Sequence, residues 1–128
     1  MSDYTIINLH EIEDSVSGRI PELEGRFGRR HLGSEHLGVS YFRYAPGFRS
    51  PAAHRHREQE EAYIVVGGSG RILLDGEVHA LRPWDVVRVS PATVRAFEAS
   101  DEGLELVIVG SDRPEEGDGE QVAADWPD

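Results

Sequence analysis

The sequence predicts an all-β domain, a sandwich or closed barrel, and three observations lead there. From residue 36 onward the chain breaks into short runs rich in Val, Ile, Leu and aromatic residues, separated by turn-forming clusters. No stretch of three helical turns carries an amphipathic stripe to compete with that pattern. At 128 residues the chain matches one domain of ordinary size, enough to bury a core and too short for two.

Taken in order, Tyr4–Leu9 is predicted as a strand and Ile12–Ser17 as a short turn of helix. The stretch from Gly18 to Gly33 holds four Gly and one Pro, which predicts a loop or short pieces. Residues 1–35 are therefore expected to pack on the barrel as an N-terminal strand and an irregular segment. Seven strands are predicted within residues 36–110: His36–Tyr44, Glu61–Val66, Arg71–Asp75, Glu77–Leu81, Asp85–Val89, Arg95–Glu98 and Leu104–Val109. Between them, Ala45-Pro46-Gly47, Gly67-Gly68-Ser69-Gly70, Asp75-Gly76, Arg82-Pro83, Ser90-Pro91 and Asp101-Glu102-Gly103 read as turns. The strongest hairpin is at Asp75-Gly76, because both central residues of a type I′ turn need positive φ. So many short antiparallel strands dispose of exposed edges by closing on themselves. Residues 111–128 carry seven acids against Arg113 alone and show no periodicity, which predicts an acidic tail, solvated and mobile or lying along the surface.

Composition removes several functions. Thirteen basic against 24 acidic residues give a net charge of −11, so nucleic acid and anionic membrane surfaces are repelled. Every basic residue is Arg, which excludes lysine Schiff-base chemistry. No Cys is present, which excludes disulfides, thiol nucleophiles and cysteine-rich metal sites. Catalysis or binding is left to His, carboxylates, hydroxyls, Arg or a metal held by nitrogen and oxygen. The N-terminus lacks a basic region and an apolar core of the secretory kind, and the uncharged run Ala62–Gly70 is too short to span a bilayer. A soluble, cytoplasmic protein is the expectation.

Within His54-Arg55-His56-Arg57-Glu58-Gln59-Glu60-Glu61 one group stands out. On an extended segment His54 and His56 point to one face and Arg55 and Arg57 to the other. With Glu61 they form a two-His, one-carboxylate set suited to Fe(II), Mn(II), Zn(II) or Ni(II), with positions left open for water or substrate. Glu61 is preferred to Glu60 because it alternates with Tyr63 and Val65 on one strand face. An H-x-H pair is also common as surface decoration, so a metal-free protein remains an equal alternative.

Gly47, His54, His56, Glu61 and Gly68, followed by Gly76, Pro83 and Pro91, resemble the first motif of the cupin family and its continuation. That motif runs Gly, His-x-His, three or four residues, Glu, six residues, Gly. Here six residues rather than five separate Gly47 from His54. The resemblance covers about residues 38–109 and implies a small β-barrel, or jelly roll, with the ligands on its inner wall. In the second motif, Trp84, Ser90 and Ala92 replace the usual Gly, Pro and Gly, and Arg95 stands where the fourth ligand, a His, belongs. A guanidinium has no lone pair to give a metal.

Two outcomes follow for the pocket. In one, His54, His56 and Glu61 hold an ion while Arg95 grips an anionic substrate by a forked hydrogen bond, with Phe97 walling the pocket on the same face. This resembles the layout of a metal-dependent oxygenase or isomerase. In the other, Arg95 pairs with Glu61, takes the place of the ion, and leaves a non-catalytic ligand-binding or sensing pocket. A pocket filled by its own side chains is a third outcome. The expected partner is a small molecule, an anionic one where Arg95 is free to grip it, and a homodimer would cover the apolar outer face of Ala62, Ile64 and Val66. His10, His31, His36 and His79 lack partners at useful spacing and are expected to be exposed. No G-x-S-x-G elbow or P-loop lysine is present.

Overall fold

In the computed structural model, which describes residues 2–128, the strands are β1 (Leu23–Phe27), β2 (Gly38–Tyr44), β3 (Ala52–His56), β4 (Glu61–Leu74), β5 (Glu77–Leu81), β6 (Val86–Val89), β7 (Arg95–Gly110) and β8 (Gly119–Ala123). One turn of helix, α1 (Arg29–Leu32), joins β1 to β2 and ends at Gly33 in the left-handed conformation. All pairings are antiparallel, and the sheet curls into a half-barrel: β1-β2-β7-β3-β8 along one path, with β4 bonded to β5, β6 and β7.

The two longest strands hold the fold together. The first half of β7 pairs with the end of β4 from Gly70↔Ala99 to Leu74↔Arg95, and its second half with the start of β4 from Glu61↔Gly110 to Gly68↔Leu104. Each long strand joins two runs that the sequence analysis separates by a turn. Gly67-Gly68-Ser69-Gly70 is not a turn but a pair of bulges inside β4. A Cβ on Gly68 would strike the Gly103 carbonyl and one on Gly70 the Glu98 carbonyl, so glycine lets the bent strand lie close against β7. Asp101-Glu102-Gly103 likewise lies within β7.

The alternation Glu61, Tyr63, Val65 turns these side chains inward, and Tyr63 and Val65 join Leu104, Leu106, Ile72, Val89 and Phe97 in a buried cluster. A smaller cluster of Ala53, Leu73 and Ala96 is covered by Val122, Ala124 and Trp126. The end of the chain therefore lies along the surface and contributes structure. Strand β8 pairs with β3, Trp126 donates through Nε1 to the Ser50 carbonyl at 3.0 Å, and Asp128 pairs with Arg49 and Arg71. Its apolar residues need cover even though its net charge does not suggest it.

At the N-terminus, Tyr4–Leu9 forms no strand; only a 3-10 turn at Leu9–Glu11 is present, capped by the Asn8 side chain. Ile12–Ser17 is not helical either. Instead Asp14 accepts hydrogen bonds from the Val16, Ser17 and Gly25 amides and the Ser17 hydroxyl, which fixes this segment beside β1. Strand β1 falls within a stretch expected to be irregular, because Gly25 interrupts its pattern; Val16 packs where a Cβ on Gly25 would stand. No helix among the described residues is long and apolar enough to cross a membrane.

Candidate metal centre and ligand cavity

Strand β3 presents His54 and His56 to one face, as the two-residue period requires, with ring centroids 5.1 Å apart, while Arg55 is exposed on the other. Glu61, the first residue of β4, faces them. Its Oε1 lies 3.2 Å from Nε2 of His56 and 3.7 Å from Nε2 of His54. The ligand atoms of all three lie within 4.8 Å of one another, so the triad can hold a divalent ion. Glu60 points away and bonds Arg88.

The donor set is oriented by neighbouring groups. Nδ1 of His56 is bonded at 2.9 Å to Oδ1 of Asp118, a buried carboxylate that is 2% exposed. That bond leaves Nε2 toward the triad, where it is buried and has no hydrogen-bond partner despite its proximity to Glu61. Asp118 Oδ2 also accepts from the Glu58 and Gln59 amides at 2.8 Å each. Burial would raise the Asp118 carboxyl, but those amides and His56 outweigh it and hold it down at about 2. Burial acts on Glu61 in the same direction and is overcome by His54, His56 and Tyr63, so Glu61 stays ionised. For His56, burial alone would lower the pKa; the flanking carboxylates of Glu61 and Asp118 raise it instead. The Tyr63 hydroxyl, pushed up by burial and by Glu61, keeps its proton and donates to Glu61 Oε1.

Arg95 is the cross-strand partner of His54 and has no exposed surface. Its Nη1 donates to the Thr93 and Pro91 carbonyls at 2.7 and 3.1 Å, and its Nε to the Tyr63 hydroxyl at 3.2 Å. Only Nη2 lacks a hydrogen-bond partner, and it lies 3.4 Å from Glu61 Oε1. The guanidinium is thus tied into the wall behind the triad. Phe97 packs against Tyr63 at 4.8 Å and does line the cavity. His79 is exposed on β5, opposite Ile72 and so at the far end of β4 from Glu61.

The cavity in front of the triad has a volume of about 700 Å³. It is bounded by His54, His56 and Glu61, by Phe27, Phe42 and Phe97, and by three arginines, Arg19, Arg29 and Arg113. Sequence reasoning missed Asp118, Gln59 and Arg29. The signal for Asp118 was the apolar Val122-Ala123-Ala124 and Trp126 following it, out of keeping with a solvated tail.

The Cupin domain family model matches residues 40–110, more than half of the sequence. The chain belongs to the cupin family. Among solved structures, this cupin is similar to KdgF from Halomonas sp., with a TM-score of 0.69 at 18% identity over 91% of this chain and 98% of the other. A sugar phosphate isomerase from a cupin superfamily, from Silicibacter pomeroyi, gives 0.72 at 22% identity over 94% and 82%. A cupin protein from Bacteroides fragilis gives 0.67 at 22% identity over 98% and 88%. No curated protein sequence matches the chain. These likenesses establish the fold of this cupin.

Proposed function

We propose that this cupin is a metal-dependent enzyme acting on a small molecule by isomerase- or oxygenase-type chemistry, with His54, His56 and Glu61 as the protein ligands. The observation that carries the reading is the buried, unpartnered Nε2 of His56, held in place by Asp118 on the far side of the ring. In the motif alignment Arg95 stands at the fourth-ligand position, which supports three protein ligands rather than four.

A divalent ion at this triad would supply Lewis-acid polarisation of a ligand oxygen. The chain's own groups do the rest. Tyr63 donates to Glu61 Oε1 and so fixes the carboxylate while leaving Oε2 unclaimed by that bond. Arg95 stabilises the ionised Glu61 from behind, and Phe97 with Phe42 makes one wall of the cavity apolar. The similar fold of a protein described as a sugar phosphate isomerase supports the isomerase branch.

A second reading rests on the 3.4 Å separation of Arg95 Nη2 and Glu61 Oε1: the guanidinium charge substitutes for an ion, and the cavity binds its ligand without metal. Elemental analysis of untagged protein, followed by calorimetric titration of Mn(II) and Zn(II) into chelator-treated protein, separates the two. One ion per chain is expected, lost in His54→Ala, His56→Ala and Glu61→Ala and kept in His79→Ala. No binding in the wild type, or loss only with His79→Ala, would remove the metal reading.

A further inference from the structure

Arg29 occupies a place that the chain prepares for it. Strands β2 and β7 set Gly38 opposite Gly110, and Gly110 is in turn opposite Glu61. A Cβ on Gly38 would stand 2.5 Å from Arg29 Nη2 and 2.9 Å from its Cζ, and one on Gly110 would strike Gln59 and come within 3.5 Å of the same Nη2. Two glycines on facing strands thus leave a bare patch of backbone on which the guanidinium lies, one strand away from a triad residue.

The hydrogen bonds of Arg29 all run through Nη2, to the Ser111 carbonyl at 2.7 Å and Gln59 Oε1 at 3.1 Å. Its Nε and Nη1 remain as donors. Among the described residues, no carboxylate lies within ion-pair distance of Arg29, although acids outnumber bases by 24 to 13. Arg19 and Arg113, which line the same cavity, are also without an ion pair. The carboxylates of the cavity are already engaged: Glu61 with His56 and Arg95, Asp118 with His56, Glu120 with Arg55 at 3.9 Å. The carboxylates of the cavity thus have partners of their own, whereas the Arg29 guanidinium keeps donors that face none.

We propose that Arg29, assisted by Arg113 and Arg19, is the anchor for an oxyanion, a carboxylate or phosphate, on the small molecule that this cavity binds. The apolar walls at Phe27, Phe42 and Phe97 take the uncharged body of that molecule. The assignment rests on the proposed function in taking the cavity as the ligand site; it replaces Arg95, whose fork is already in use, as the group that recognises charge. A half-buried guanidinium holding two donors free is suited to an oxyanion and poorly suited to a neutral group.

The test uses chelator-treated full-length protein, so that its failure and that of the metal titration are separate results. Benzoate, phenyl phosphate and the neutral isostere benzamide are titrated while amide shifts are followed by NMR. Benzoate or phenyl phosphate is expected to bind and to shift the Gly38 and Gly110 amides, the stronger of the two naming the oxyanion, and benzamide to bind at least about tenfold more weakly. Arg29→Gln should lose about tenfold or more in affinity for the preferred anion, and Arg29→Lys less. Arg113→Gln, on an exposed side chain, gives a second reading that does not endanger the fold, with a smaller loss in the same direction. Equal binding of benzamide and benzoate, shifts centred away from Gly38 and Gly110, or anion affinity unchanged in both Arg29→Gln and Arg113→Gln would overturn the assignment.

Discussion

Asp118 Oδ1 lies 2.9 Å from Nδ1 of His56 across 62 positions of sequence, and this contact ties the end of the chain to the candidate metal centre. A carboxylate at Nδ1 orients the ring and strengthens Nε2 as a donor. Asp118→Asn keeps the size of the side chain and removes the charge. Affinity for Zn(II) or Mn(II), measured by calorimetry, is expected to fall by about 10- to 100-fold in a protein whose melting curve remains cooperative. Undiminished affinity in the folded variant would show that Asp118 only closes the Glu58 and Gln59 amides.

How much of this was legible in the sequence depended on the range of the interactions. His54, His56 and Glu61 could be placed because strand periodicity is local, and the Asp75-Gly76 hairpin because turn chemistry is local; Asp75 has φ +47° and Gly76 +86°. The long strands β4 and β7 were obscured because a glycine bulge and a turn use the same residues, and only the crossing strand distinguishes them. Asp118 and Arg29 were obscured for a related reason. An acid in an acidic tail and an Arg in a glycine-rich segment gain their roles from partners brought by β8 and by the Gly38–Gly110 pair.

The acid side of the stability curve should reflect Glu98. Its carboxylate accepts from Arg49 Nε at 2.5 Å and Arg71 Nε at 2.8 Å, and these partners, Arg49 first, lower its pKa from the ordinary 4.5 against the opposing effect of burial. A depressed folded-state pKa means stability that is complete above 4.5 and is lost as pH falls through the lowered value. Glu98→Gln is expected to melt a few degrees lower at neutral pH, on the order of 1 kcal/mol, and to show a shallower fall as the pH drops below the ordinary 4.5. Parallel acid curves for the two proteins would assign the acid loss to other carboxylates.

Trp84 carries strain. Its φ is +74°, in the left-handed region that glycine occupies without penalty, its amide donates to the Val65 carbonyl at 2.7 Å, and its side chain is 75% exposed. Little burial is therefore lost on removing the indole, whereas the backbone cost for a non-glycine residue is about 1 kcal/mol or more. Trp84→Gly should raise the melting temperature by a few degrees. A lower melting temperature would mean that the ring contributes more contact than its exposure suggests.

The sharpest test of the metal centre is Arg95→His. Arg95 sits opposite His54 on the neighbouring strand, with no exposed surface, and its Nη2 is 3.4 Å from the Glu61 oxygen nearest both imidazoles. The substitution removes a fixed positive charge from a buried site and offers a neutral nitrogen on the strand facing the pair. Both changes favour a dication, so Mn(II) or Zn(II) affinity is expected to rise by about tenfold or more. The cost appears elsewhere. The Thr93 and Pro91 carbonyls lose their guanidinium donor and the buried volume shrinks, so the variant should be less stable than wild type by about 1–3 kcal/mol, read by urea unfolding without metal. Tighter metal binding together with weaker folding is a combination that a merely structural Arg95 would not produce. Metal affinity that is unchanged or reduced in the folded variant would show that the charge of Arg95 is not felt at His54, His56 and Glu61.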